Sequence, residues 1–171
     1  MPIQYKDGDA TCPPTSSDGV SYIIHVCNDV GAFARGFALC VKSKFPIVEH
    51  RYKGFHQAAM DPITRYMPLG INQYVKVDTN LIVVNMIAQH GIYSTGGVSP
   101  IRYDALEQCF EELSIRIGPN DTVHAPRLGA GLSGGSWSQV EPLLQKHLGQ
   151  YDVTIYDFEP PDKKMYSYWR E

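Results

Sequence analysis

The sequence predicts an α/β chain built on a mixed sheet with helices on both faces. Three observations lead there. Short β-rich runs alternate with stretches of helical period. One pair of runs is joined by a tight turn. The 171 residues, 43% apolar and 19% charged, fit one domain with a sizeable core. Strict alternation would give a parallel sheet, and the hairpin makes it mixed.

The elements follow in order. Asp18-Gly19 marks a turn after the polar stretch Thr11–Ser17, and Val20–Cys27 (VSYIIHVC) reads as a buried strand. Arg35–Phe45 sets Phe37, Leu39, Val41 and Phe45 among small residues and lysines, which suits a helix. Pro46 opens a second helix with Val48, Tyr52 and Phe55 on one side. Gln73–Val77 alternates, turns at Thr79-Asn80 and pairs with the apolar run Leu81–Ile87 as a hairpin. Pro100 opens a helix in which Leu106, Phe110, Leu113 and Ile117 recur at helical spacing, and Gly118-Pro119-Asn120 stops it. Thr122–His124 is a strand, Ser138–Leu148 a helix closed by Gly149, and Val153–Phe158 the last strand. Pro142 argues for a later start of that last helix. Pro160-Pro161 ends the packed body, which leaves a domain over 1–159 and an aromatic, charged tail over 160–171.

Composition narrows the function classes. A net charge of −3 gives no electrostatic footprint for general nucleic-acid binding. No apolar run reaches the roughly 18–20 residues of a membrane span, and Met1–Asp7 lacks the apolar stretch of a signal peptide. Cys12, Cys27, Cys40 and Cys109 form no CxxC pair and read as separate small hydrophobes. The histidines show no HExxH or other metal spacing, so neither metal nor cofactor is expected. The expected setting is cytoplasmic.

Chemistry concentrates in two small-residue loops. Ala125–Trp137 (APRLGAGLSGGSW) follows a strand, holds four glycines and no acidic residue, and leads into a helix. Asn28–Ala38 (NDVGAFARGFA) repeats that arrangement after the first apolar strand. Glycine lets backbone approach a ligand closely, and a loop ending at a helix N-terminus points N–H groups at an anion. Either loop alone could be a tight turn that packs a helix; the pair points to a diphosphate held from both sides. Ligands of such sheets sit at the carboxyl ends of strands. Gly129–Gly134 is also a literal GxGxxG with Asp152 and Asp157 about twenty residues on, so a dinucleotide-binding oxidoreductase fragment competes. The motif normally opens a long domain, and here little chain follows it.

The residues carry a family resemblance. Gly8-Asp9-Ala10-Thr11 resembles the GDxT start of macro domains, and His25-Val26-Cys27-Asn28 resembles their strand ending in Asn before the first glycine loop. Val84–Gly91 (VNMIAQHG) and Pro126–Leu132 (PRLGAGL) followed by Trp137 are similar to a bacterial and phage branch, related to ADP-ribose 1″-phosphate phosphatases and terminal ADP-ribose glycohydrolases. The blocks run in the expected order from Gly8 to Phe158. The resemblance implies a three-layer α/β/α sandwich with a mixed, mostly parallel sheet, binding ADP-ribose or a close derivative, free or on an ADP-ribosylated macromolecule.

Carried over by position, the resemblance implies that Asp9, with Ala10 beside it, accepts the adenine amino group. Asn28 would bond the distal ribose. Gly36 and Phe37 would contact the diphosphate, and Gly129, Ala130, Gly131 and Leu132 would wrap it from the other side. Phe158 would cover the adenine face, with Tyr156 as second choice. Catalytic candidates are Asn28, Asp29 and His90, with His25 as a further histidine: a histidine as acid or nucleophile, Asp29 to orient water. There are departures too. Ala34 stands where many relatives carry glycine, and Ser136 where an aspartate often precedes the tryptophan. Ser133 occupies the place of the catalytic aspartate of the branch that strips ADP-ribose from carboxylates, and no lysine lies between Asp78 and Glu111. That branch's lysine mechanism is therefore not expected. Two functions stay open: hydrolysis at the distal ribose, of a 1″-phosphate or an ADP-ribosyl linkage, or a non-catalytic module that senses or sequesters the ligand.

Overall fold

The computed structural model describes residues 2–15, 18–131 and 133–157. The elements run β1 (Gln4–Asp7), β2 (Ser21–Asn28), α1 (Phe37–Lys44), α2 (Pro46–Ala59), β3 (Ile71–Asp78), β4 (Leu81–Gln89), α3 (Tyr103–Arg116), β5 (Thr122–Ala125), α4 (Trp137–Leu148) and β6 (Asp152–Asp157). One six-stranded sheet has the order β1-β6-β5-β2-β4-β3. Among the described strand pairs of this sheet, the β3–β4 hairpin is antiparallel and the rest are parallel. The expected mixed, mostly parallel sheet is the one found.

Side-chain parity sorts the core into two layers. Tyr22 and Ile24 of β2, with Val84, Met86 and Ala88 of β4, pack against Leu106, Phe110 and Leu113 of α3 and Val140, Leu144 and Leu148 of α4. The intervening Ile23, Cys27, Val83 and Ile87 pack against Val41 of α1 and Val48 and Tyr52 of α2. Covered on both faces, β2 reads as a continuous apolar run rather than an alternating one.

Three elements differ most from expectation. No element is expected over Gln4–Asp7, yet it forms β1, an exposed edge strand with no apolar pattern, held by its parallel ladder to β6. Pro100 does not open α3, because Ile101 N–H donates to Ser133 O and Arg102 N–H to Ala88 O. Those bonds keep the chain extended until Tyr103. α4 starts at Trp137 and carries Pro142 inside it. An internal proline costs about 3 kcal/mol, and the complete burial of Val140, Leu144 and Leu148, at about 1.5–3 kcal/mol each, outweighs it. The last strand is described to Asp157, so Phe158 and the tail 160–171 lie outside the described residues.

Candidate functional site

Because β2, β4, β5 and β6 run parallel, Asn28, Gln89, Ala125 and Asp157 end at one edge of the sheet. The two small-residue loops leave neighbouring strands, β2 and β5, there. They form facing walls of a cleft of about 320 Å³. Asn28, Ala34, Gly36 and Phe37 line one wall, Gly129, Ala130 and Gly131 the other, with His25 and Tyr156 also on the lining.

The first wall is organised by Asn28. Its Oδ1 accepts from Val30 N–H (3.1 Å), Ala32 N–H (3.1 Å) and the Tyr52 hydroxyl (2.8 Å), while Nδ2 donates to Ala32 O (2.7 Å). One Nδ2 proton remains beyond that set. Gly36 then turns the chain into α1 with φ 61 and ψ −138, a conformation that disfavours any side chain. The first turn of α1 has no acidic residue and no side-chain cap, so its positive dipole end faces the cleft.

The second wall closes on itself. Gly135 N–H donates to Gly129 O (2.9 Å) and Gly134 N–H to Gly131 O (3.0 Å). A Cβ on Gly135 would lie 2.2 Å from Gly129 O, so only glycine fits. Ser133, which stands where another branch has its aspartate, donates from Oγ to Gln89 Oε1 (2.7 Å); Gln89 Nε2 in turn donates to Gly91 O (3.0 Å). Gln89 thus fastens the second loop to the end of β4.

Asp29 and His90 follow the lining residues Asn28 and Gln89 by one position in the chain and are not themselves on the lining. The Asp29 carboxylate is 1% exposed. Its Oδ2 lies 2.7 Å from His90 Nδ1, and Oδ1 accepts Gly91 N–H (2.8 Å). Each oxygen thus accepts one hydrogen bond, and Asp29 is placed to hold the imidazole. A carboxylate only accepts, so Nδ1 carries the proton of this hydrogen bond and Nε2 is the ring's other nitrogen.

His25 is 2% exposed. Its Nε2 lies 2.6 Å from Asn85 Oδ1, and Asn85 Nδ2 donates onward to Gln73 Oε1 (3.0 Å). Burial lowers its pKa to about 4, so at neutral pH it is an uncharged core histidine set edge-on to Phe33 and Phe37. His124, bonded to Thr122 and the Tyr156 hydroxyl, is lowered to about 4 by the same cause. Tyr156 is 3% exposed and offers no open face for a purine.

Other expected residues fall outside the lining. Asp9 Oδ1 accepts Thr11 N–H (2.8 Å) and Thr11 Oγ1–H (2.7 Å), which caps a turn, and Ala10 is buried behind it. The β1–β6 ladder nevertheless carries Asp9 to the edge where Asp157 lines the cleft, since Gly8 N–H donates to Asp157 O (2.9 Å). Leu132 and Phe158 lie outside the described residues. Cys27, Cys40 and Cys109 are buried as expected, but Cys12 is exposed and accepts a hydrogen bond from Lys44 Nζ.

Sequence reasoning missed Gln89 and Arg127 on the lining. Arg127 grips Asp157 through two bonds (2.7 and 3.1 Å) and lies over the rings of Tyr5 and Trp137 at 5.1 and 5.6 Å. This bracket explains the tryptophan that follows the loop. Among the described residues no group of three or more His, Cys, Asp or Glu is placed to hold a metal ion, and no helix is long and apolar enough to cross a membrane.

Comparison with known proteins places this geometry. No family model matches the chain. A solved Bacteroides thetaiotaomicron protein of unknown function is 40% identical, with a TM-score of 0.82 over 92% of this chain and 98% of its own. The macrodomain protein of Streptomyces coelicolor is 39% identical, with a TM-score of 0.74 over 91% and 98%. ADP-ribose 1″-phosphate phosphatase of Scheffersomyces stipitis is 24% identical over 90% of this chain and 99% of its own length. The chain spans only 18% of mouse chromodomain-helicase-DNA-binding protein 1-like, with which it shares 26% identity over 166 residues. On the strength of the near-complete match to the Streptomyces coelicolor protein, the chain belongs to the macrodomain family.

Proposed function

We propose that the cleft binds ADP-ribose or a close derivative and that the protein hydrolyses a bond at the distal ribose, a 1″-phosphate or an ADP-ribosyl linkage. The observation that carries this reading is the pair of glycine loops, which face each other across one cleft with main-chain amides and an uncapped helix N-terminus. The diphosphate lies between Gly36-Phe37 and Gly129–Gly131. Asn28 offers its remaining Nδ2 proton to the distal ribose. Adenine lies toward the edge of the sheet that carries Asp9 and Ala10. The name of the Scheffersomyces stipitis relative supports the phosphate ester as substrate.

In that reaction one water is added across the ester. The bond between phosphorus and the 1″ oxygen breaks, phosphate keeps the water's oxygen, and the freed ribose oxygen gains a proton. His90, one position beyond the lining residue Gln89, is the group assigned to move it, through Nε2. A second reading, a non-catalytic binding module, is favoured by Ser133 in the aspartate's place with its hydroxyl committed to Gln89. Incubation with ADP-ribose 1″-phosphate and detection of free phosphate separates the two. Release that falls away in His90→Asn supports the hydrolase; tight binding without release leaves the module. Calorimetric preference for intact NAD over ADP-ribose would overturn both.

A further inference from the structure

His90 has a second neighbour besides Asp29. The Tyr66 ring lies against its imidazole, centroids 4.5 Å apart and planes at 44°. Tyr66 sits on a turn that the chain holds at several points. Asp61 N–H donates to Tyr66 O (2.9 Å), Arg65 N–H to Asp61 O (2.8 Å), and Asp61 Oδ1 accepts the Ile63 and Thr64 amides (2.8 and 2.9 Å). At its far end Met67 N–H donates to Asp29 O (2.8 Å). The same aspartate therefore fixes the turn through its backbone and His90 through its side chain. Arg65 alone among the described non-glycine residues takes a positive φ, 65°, and its carbonyl lies 2.8 Å from His56 Nε2. Such backbone persists only where the surroundings enforce it, and it concentrates at sites that must hold a geometry.

We propose that Tyr66 is a positioning residue: with Asp29 it holds the imidazole of His90 in one orientation, Nδ1–H inward and Nε2 toward the mouth of the cleft. This rests on the hydrolase reading for its consequence, though not for its geometry. Asp29 fixes the ring by one hydrogen bond, about which it can still swing. The Tyr66 ring covers one side of the imidazole and restricts that swing, with 43% of the His90 side chain left exposed on its other sides. Misplacing a proton-transfer group by an ångström costs up to about a hundredfold in rate, so the ring contact acts on turnover rather than on ligand affinity.

The test uses the full chain with ADP-ribose 1″-phosphate, comparing Tyr66→Ala, Tyr66→Phe and Ile63→Ser, the last an 89% exposed position on the same turn. Tyr66→Ala lowers kcat about tenfold or more with KM little changed, Tyr66→Phe restores it, and Ile63→Ser matches the parent. Equal kcat in Tyr66→Ala and the parent overturns the proposal, as does an equal loss in Ile63→Ser. Nitrogen-15 spectra of the His90 ring at alkaline pH give a readout that needs no turnover. The parent holds the Nδ1–H tautomer, and Tyr66→Ala relaxes toward a mixture. An inactive parent with this spectral change sinks the hydrolase reading and keeps the positioning role; unchanged tautomers in Tyr66→Ala sink the positioning role.

Discussion

Lowering the pH from 7 to 5 should destabilise this protein steeply, and two buried histidines set the size of the effect. His25 and His124 each have a folded pKa of about 4 against 6.5 when exposed, chiefly because burial disfavours the charged ring. Below 6.5 the unfolded chain takes up protons that the folded chain refuses. The stability contributed by neutral burial is therefore complete above 6.5, declines as pH falls, and is gone below about 4. At roughly 1.4 kcal/mol per pH unit, moving one histidine from 6.5 to about 4 corresponds to about 3 kcal/mol. By pH 5 the pair has cost ~4 kcal/mol, a large share of the 5–15 kcal/mol typical of a domain. Urea unfolding followed by circular dichroism at several pH values and constant salt measures this. The slope between pH 6 and 5 should be about 2 kcal/mol per unit, and halve in His25→Gln. A flat profile, or a full slope surviving in a His25→Gln, His124→Gln double variant, would refute the assignment.

Three further outcomes follow from the site. Gly131→Glu puts a carboxylate where the diphosphate lies; at ~4 Å and an effective dielectric near 20 the repulsion is ~4 kcal/mol, so calorimetry should show ADP-ribose binding weakened about a thousandfold with the far-ultraviolet spectrum intact. Gly135→Ala drives a methyl to within 2.2 Å of Gly129 O and should lose ~2–4 kcal/mol in urea unfolding together with affinity. Arg127→Ala opens the bracket to Asp157, Tyr5 and Trp137; its partners are substantially exposed, so the melt should register only ~1 kcal/mol.

The sequence made some parts of the molecule plain and hid others, for physical reasons. β2 and the β3–β4 hairpin were visible because burial on both faces, or a turn between apolar runs, leaves a local pattern. β1 left none: four exposed residues are held by hydrogen bonds to β6, a partner far along the chain. The start of α3 depended on bonds from Ile101 and Arg102 to other elements, which no local propensity reports. At the site, glycine content betrayed both loops, since close backbone approach requires that residue. Gln89 and Arg127 were not legible, because their significance lies in partners 44 and 30 residues away. The His90–Asp29 contact joins the ends of two parallel strands, and only the register of β2 against β4 brings those residues together.

Titration of the nitrogen-15-labelled protein with ADP-ribose, followed amide by amide, decides whether the two glycine walls grip the ligand. The largest saturable shifts should fall on Gly36, Ala38, Gly129, Ala130 and Gly131, with the Asn28 side-chain amide moving alongside them. Shifts confined to another surface, or amides in both walls that stay put while the ligand binds, would contradict it.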